Sequence, residues 1–328
     1  MKPLSIMVVA GEPSGDQLAA ELVRALRAVA TPFAPEFFGA GGERMAAAGV
    51  ELAVDLTRHA VIGVPTPGQY AKFRQLRDDL VALAVTRTPD IVIGVDFFAF
   101  NGSLAERIRA ASEEAGGPFQ NWRPKLVQYV SPQVWASRAG RAQRLERTHD
   151  LLLSILPFEA EWYARHAPKL RVQFVGHPLV ERHAREGSVE RSVPKPEAGA
   201  PPEDSAPPEL LLLPGSRAGE LRRHLPVMLA AAQRVETETG AALRMVVPSE
   251  SLLEQARPLL VALPRLRVQV GGLSEALAKA TVALASTGTV TLECAWFGVP
   301  TVALYKTSPL TYAIGKRIVT VKFLAMPN

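Results

Sequence analysis

The chain has 328 residues, enough for roughly two domains that each bury a core. A single cysteine, Cys294, excludes a disulfide framework, and 6% aromatic residues among abundant Ala, Leu and Val favour α/β layers over a β-sandwich. The formal charge of +5 favours an anionic partner, which leaves a phosphorylated substrate, an anionic lipid or a nucleic acid open.

No run reaches the about 18 apolar residues of a membrane-spanning helix. The Leu4–Ala10 run is too short for a signal peptide, and Glu12 and Asp16 follow it at once. The expected compartment is the cytoplasm, with contact to a membrane surface left open.

Leu4 to Ala10 reads as a strand, followed by the turn Gly11-Glu12-Pro13-Ser14-Gly15-Asp16. Leu18, Leu22 and Leu26 then recur every four residues beside Ala19 and Val23, one face of a helix. This places backbone N–H groups and a positive helix end at the carboxyl edge of a sheet, where anionic ligands bind. The turn fits neither G-x-G-x-x-G, nor a P-loop, nor G-x-S-x-G. The competing reading is a plain helix cap supplied by Ser14 or Asp16.

Gly39 to Arg44 lacks the third glycine of a dinucleotide fingerprint and predicts a loop. Val61 to Pro65 opens a segment in which Tyr70, Phe73, Leu76, Leu80 and Leu83 fall at helical spacing, with Lys72, Arg74, Arg77 and Arg87 among them. Such a helix can lie on anionic lipid, or it can simply face a core with a solvated basic side. Ile91 to Val95 is an uninterrupted apolar run typical of a buried parallel strand, with Asp96 at its carboxyl end. A helix is expected from Asn101 to Ala115, then strands at 126–130, 151–155 and 172–175. Arg138, Arg141, Arg144 and Arg147 would spread around a helix instead of forming a stripe, which speaks against a nucleic-acid helix.

Residues 187 to 208 hold six prolines and almost no bulky apolar residue, the composition of a linker or exposed loop. The expected domains are therefore 1–186 and 209–328. Glu209 to Leu213 is a strand running into Pro214-Gly215-Ser216-Arg217, and a helix is expected from about 219 to 237. Strands follow at 243–247, 266–270, 282–285 and 301–305, and Ser286-Thr287-Gly288-Thr289 precedes a helix that holds Glu293. Two α/β domains, each with a phosphate-type turn, predict a cleft between them.

The six histidines are scattered and no Cys-x-x-Cys or Asp-x-Asp pattern stands in the chain, so neither zinc nor metal-assisted sugar transfer has support, and no cofactor is implied. A diphosphate leaving group could instead be met by Arg217 and the amides of 215–217 and 286–289. The competing reading of Arg217 is a surface side chain capping a loop. Glu293 could accept ribose hydroxyls, or only complement a helix dipole. Asp96 and Glu12 are the two acids able to act as general base, and for Asp96 a helix cap is the alternative.

In order along the chain, Gly11–Asp16, Gly94-Val95-Asp96, Tyr129–Trp135, Gly176-His177-Pro178, Leu213–Arg217, Gly288–Glu293 and Leu324–Asn328 resemble the motifs of the lipid-A-disaccharide synthase family. The resemblance covers nearly the whole chain. It implies the glycosyltransferase type B fold, two Rossmann-like α/β domains facing a cleft, with the nucleotide held mainly by the second. It implies transfer from UDP-2,3-diacylglucosamine to 2,3-diacylglucosamine 1-phosphate, with inversion. Asp96 would be the base, with Glu12 and Ser14 close by, and Gly15 would be among the substrate-binding residues. Gly215, Ser216, Arg217, Ser286, Thr287, Gly288, Thr289, Glu293 and Asn328 would bind the nucleotide sugar. The implied location is peripheral, on the cytoplasmic face of an anionic inner membrane touched through residues 61 to 85, and a homodimer is left open.

The chain departs from the family at three places. Ala99 replaces a second aspartate, Ser137 a second tryptophan, and Pro65, Thr66 and Pro67 interrupt the lipid-contacting segment. Family members also continue beyond the last motif, so a C-terminally truncated form is expected. The rival activities are a UDP-sugar epimerase of the same fold and a nucleotide-sugar binder without catalysis.

Overall fold

The computed structural model describes residues 3–30, 34–59, 67–114, 122–137, 139–185, 207–307 and 312. The expectations for Val61–Pro65, Arg138, most of the Pro-rich stretch and everything from Pro309 to Asn328, apart from Tyr312, fall outside these residues. The chain divides into two compact units, Met1–Pro178 and Leu179–Asn328.

The first unit begins with β1 (Ser5–Ala10), α1 (Pro13–Val29), β2 (Glu36–Gly41), α2 (Glu43–Ala47) and β3 (Glu51–Asp55). A long helix, α3 (Pro67–Arg87), returns the chain to β4 (Ile91–Val95) and α4 (Phe98–Glu114). Then come β5 (Lys125–Tyr129), α5 (Arg141–Thr148), β6 (Leu151–Ser154), α6 (Glu159–His166) and β7 (Val172–Phe174). The described strands form one sheet in the order β3-β2-β1-β4-β5-β6-β7, parallel throughout.

The apolar run of β1 is continuous because both faces of the strand are covered. Ile6, Val8 and Ala10 pack with Ala19, Ala20 and Val23 of α1 on one side. Met7 and Val9 pack with Leu76, Leu80 and Ala84 of α3 and with Leu104 and Ile108 of α4 on the other. Among the described side chains of α3 only this narrow stripe is buried; Tyr70 is 61% exposed and stands off it, while Lys72 and Arg74 face solvent. The basic side is partly neutralised, since Arg77 pairs with Asp78 at 2.7 Å.

The loop expected at Gly39–Arg44 is a strand as far as Gly41, followed by the short helix α2. The glycines serve close strand approach, for a Cβ on Gly39 would run into the carbonyl oxygen of Val8.

The second unit takes most of α7 (Pro178–Arg185), then β8 (Glu209–Leu213), α8 (Ala218–Thr239), β9 (Ala242–Val247) and α9 (Glu250–Leu260). It continues through β10 (Arg267–Val270), α10 (Leu273–Lys279), β11 (Val282–Ser286), α11 (Thr289–Trp296) and β12 (Thr301–Leu304). Its parallel sheet runs β10-β9-β8-β11-β12. The same alternation holds: Leu210 and Leu212 pack on α8 and α9, while Leu211 and Leu213 pack with Cys294 and Phe297. His183 of α7 stacks with Trp296 at 6.0 Å. Both sheets therefore reverse strand order beside their first strand, at β1/β4 and at β8/β11. Ligands of open α/β sheets bind outside the carboxyl ends of strands at such points.

Candidate functional site

In the first unit β1 and β4 run in register from Ile6–Ile91 to Ala10–Val95 and release the Gly11–Asp16 turn and Asp96 side by side. A Cβ built on Gly15 would stand 3.9 Å from the Cβ of Asp96 and 3.4 Å from the carbonyl oxygen of Val95. Gly15 thus lets the turn lie against β4. Asp96 and Glu12 are half-buried, Ser14 is exposed and Gly15 is buried. The four residues expected from the sequence are brought together here.

Helix α1 starts at Pro13 with Glu12 in the cap position, and the cap side chain makes no capping bond. Proline suits this place because its missing N–H would have no partner in any case. Ser14 already lies in the first turn, so it is not the cap. Nor is Asp16, whose buried carboxylate accepts the N–H groups of Gly42 at 2.7 Å, Arg44 at 3.0 Å and Met45 at 3.1 Å. Asp16 caps α2 instead.

Helix α4 starts at Phe98, earlier than expected, and the carbonyl of Phe97 accepts the N–H groups of Phe100 and Asn101, so Phe97 holds the cap position and Asp96 stands one residue before it. Asp96 and Phe97 have φ of +50° and +42°, and Val130, at the end of the neighbouring β5, has +68°. Left-handed backbone is rare in residues with a Cβ, and strain of this kind concentrates at functional sites. The Phe97 ring lies over Gly11, leaving no room for a side chain there. It packs with Phe100 at 5.7 Å and Phe73 at 5.9 Å.

Next along the sheet edge, Trp135 donates its indole N–H to Glu159 at 3.1 Å, and the other oxygen of Glu159 accepts from the N–H of Leu156 at 3.1 Å. Burial pushes the Glu159 carboxyl up. Sequence reasoning missed this residue. Glu159 and Glu161 look alike in the chain, yet Glu159 is 1% exposed while the side chain of Glu161 is 76% exposed.

In the second unit, Leu213 pairs with Ala285, so the turns after β8 and β11 leave adjacent strands. Gly215 has φ +114°, and a Cβ there would meet Glu220 at 2.5 Å and the Ser286 hydroxyl at 3.2 Å. Gly215 and Ser286 are thus neighbours across the switch point. Helix α8 begins just after Arg217, whose carbonyl accepts the N–H of Leu221. Ser216 and Arg217 are exposed there at a positive helix end. Glu220 accepts from the N–H of Ser216 at 3.2 Å and pairs with Arg217 at 3.3 Å.

Gly288 caps α11 at φ +140°, Thr287 and Gly288 are half-buried, and Thr289 is exposed. Glu293 lies in the second turn of α11 and is half-buried. Asn328 lies outside the described residues. A residue not foreseen is His224, 1% exposed, whose Nε2 accepts the N–H of Lys306 at 3.1 Å. Its Nδ1 must then carry the proton, donated to the Pro214 carbonyl at 3.2 Å. The ring ties the Pro214–Arg217 turn to the chain leaving β12.

Among the described residues no group of three or more His, Cys, Asp or Glu stands as a metal-ligand cluster. Nor is any described helix long and apolar enough to cross a membrane.

Residues 6–328 match the family described as Lipid-A-disaccharide synthetase. The lipid-A-disaccharide synthase of Alkalilimnicola ehrlichii is 36% identical over 342 residues, covering 99% of this chain and 82% of that one. That of Azotobacter vinelandii is 35% identical over 333 residues, with the same coverage. A solved UDP-GlcNAc 2-epimerase from Neisseria meningitidis, bound to UDP-GlcNAc, is alike in fold alone: TM-score 0.57 and 10% identity over 96% of this chain and 85% of that one. A match over nearly the whole length, together with ordered turns at the switch points of both sheets, means that the chain belongs to the lipid-A-disaccharide synthase family, glycosyltransferases of lipid A biosynthesis.

Proposed function

We propose that the protein joins UDP-2,3-diacylglucosamine to 2,3-diacylglucosamine 1-phosphate, giving the β-1,6-linked lipid A disaccharide 1-phosphate and UDP. The observation that carries the reading is the half-buried carboxylate of Asp96 beside the Gly11–Gly15 turn at the first switch point. The acceptor 6-hydroxyl attacks the anomeric carbon and gives its proton to Asp96, with Glu12 and Ser14 flanking it. The bond from the anomeric carbon to the diphosphate oxygen breaks as the new one forms, so the configuration inverts. Charge gathering on the departing UDP is met by Arg217 and by the amides of 215–217 and 286–289. Glu293 and Asn328 serve the nucleotide side.

Residues 61 to 85 are assigned to contact with the anionic inner-membrane surface on its cytoplasmic side. The exposed Tyr70, Lys72 and Arg74 of α3 support that assignment. Mass spectrometry of products formed from the two lipid substrates tests the reaction. Disaccharide 1-phosphate with equimolar UDP is expected. Turnover of UDP-GlcNAc without any lipid acceptor, or UDP binding without turnover, would refute it.

A further inference from the structure

We propose that Asn101 and Gln128 are positioning residues that hold Asp96 in its left-handed backbone conformation, and that transfer depends on this clamp. The proposal rests on Asp96 being the base. Three of the five non-glycine residues with positive φ among the described residues, Asp96, Phe97 and Val130, crowd onto the ends of two adjacent strands. Left alone, such residues relax toward negative φ. The sign of φ at Asp96 sets the direction in which its Cα–Cβ bond leaves the strand end, and so the place of the carboxylate.

Three hydrogen bonds fix this peptide. The N–H of Asp96 donates to the Tyr129 carbonyl at 2.9 Å. The Asp96 carbonyl accepts from Asn101 Nδ2 at 2.9 Å and from Gln128 Nε2 at 3.0 Å. Each amide also spans to a neighbour. Asn101 Nδ2 lies 3.4 Å from the Val9 carbonyl of β1, and Gln128 Nε2 lies 3.2 Å from the carbonyl of Val130. One amide thus links Asp96 to the strand that carries the Gly11–Gly15 turn. The other links Asp96 to the second strained strand end.

Both side chains are almost wholly buried, at 2% and 0% exposure. Their oxygens, Asn101 Oδ1 and Gln128 Oε1, accept no hydrogen bond from another described residue. Turning either amide round would set its oxygen against carbonyl oxygens, so the orientation follows from the partners. Apolar side chains of similar shape would remove these oxygens but would leave the Asp96 carbonyl without its two donors, so what the amides contribute is carried by their N–H groups. Both amides converge on one carbonyl, that of the residue whose backbone is left-handed. Gly94 makes the room: a Cβ there would stand 2.9 Å from the Asn101 Cβ and 3.1 Å from Gln128 Oε1.

The test compares Asn101→Leu and Gln128→Met, alone and in an Asp96→Asn background, by kcat, by KM for UDP-diacylglucosamine and by melting temperature. With Asp96 intact, each should lower kcat ~10- to 10²-fold, the scale expected of a misplaced reacting group, with KM within about twofold. In the Asp96→Asn background neither should lower the residual rate further, because the clamp acts only through that carboxylate. Equal losses in both backgrounds, or full kcat with Asp96 intact, would overturn the proposal. Full activity of Asp96→Asn alone would instead refute the base assignment. Asn101→Asp, which keeps the volume but removes the donor, covers the case in which the leucine variant does not fold. Undiminished turnover in the aspartate variant likewise overturns the clamp.

Discussion

The guanidinium of Arg217 lies 3.3 Å from the carboxylate of Glu220, one helical turn further on, whose second oxygen holds the N–H of Ser216 at 3.2 Å. Two of the groups proposed to meet the diphosphate, the Arg217 guanidinium and the Ser216 N–H, are therefore already answered by a carboxylate of the chain itself. The Arg217 side chain is 46% exposed, and ion pairs of that exposure are worth at most about 1 kcal/mol, so the proposed diphosphate would have only a weak pair to displace. Arg217→Ala should lower turnover at least ~10²-fold, and Arg217→Lys should rescue it only in part, because the fork is lost. Glu220→Gln should tighten UDP binding a few-fold by calorimetry. Weaker binding would mean that the carboxylate organises the turn instead of competing for it.

Asp16 predicts a purely structural phenotype inside a functional signature. Removing its three amide contacts leaves buried donors unanswered, and Asp16→Ala should cost about 2–4 kcal/mol in the urea unfolding of the first unit. Asp16→Asn, which keeps an acceptor oxygen, should cost less. A variant that loses activity at unchanged stability would place Asp16 on the ligand side instead.

Burial, and then the nearby charge of Arg109, hold the His149 imidazole at about 4, against an ordinary 6.5. The ring is neutral in the fold but takes up a proton once unfolded below pH 6.5. Its effect is therefore absent above that value, and stability is lost as pH falls from 6.5 toward 4. The full loss is about 3 kcal/mol. His149→Gln should flatten the stability curve over that window, measured against wild type at pH 7 and pH 4.5. Parallel curves would show that the imidazole does not carry the effect.

Gly11 and Phe97 cannot both carry side chains in their present places. Gly11→Ala should displace the ring and, with it, the neighbouring Asp96, lowering kcat more than UDP affinity. Adding Phe97→Leu should restore part of the rate. A fully active alanine variant would show that the ring can move without consequence.

Much of this fold could be read from the chain because its strands are buried on both sides. Runs such as Ile6–Ala10 and Leu210–Leu213 carry no charge that would hide them. The turns after β1, β8 and β11 were legible for the same reason, since each follows such a run. What stayed hidden depends on partners far along the chain. Asp16 meets residues 26 to 29 positions later, and His224 meets Lys306 at a separation of 82. Left-handed φ at Asp96, Phe97 and Val130 leaves no trace in composition, because glycine is the usual marker and none stands there.

The pairing of β1 with β4 has a kinetic consequence. Ser5 and Asp90, bonded through the Asp90 carboxylate at 2.8 Å, are 85 residues apart. During synthesis, at roughly 5–20 residues per second, β1 leaves the ribosome roughly 4–17 s before its central partner exists. For that interval Ser5–Ala10 is an uncharged, β-prone segment with one edge unpaired, the kind that nucleates intermolecular sheets. Slow long-range parallel pairing prolongs the exposure, so folded yield is set by the lifetime of this nascent edge. Cold induction or chaperone co-expression should therefore raise soluble protein more than stabilising either finished sheet.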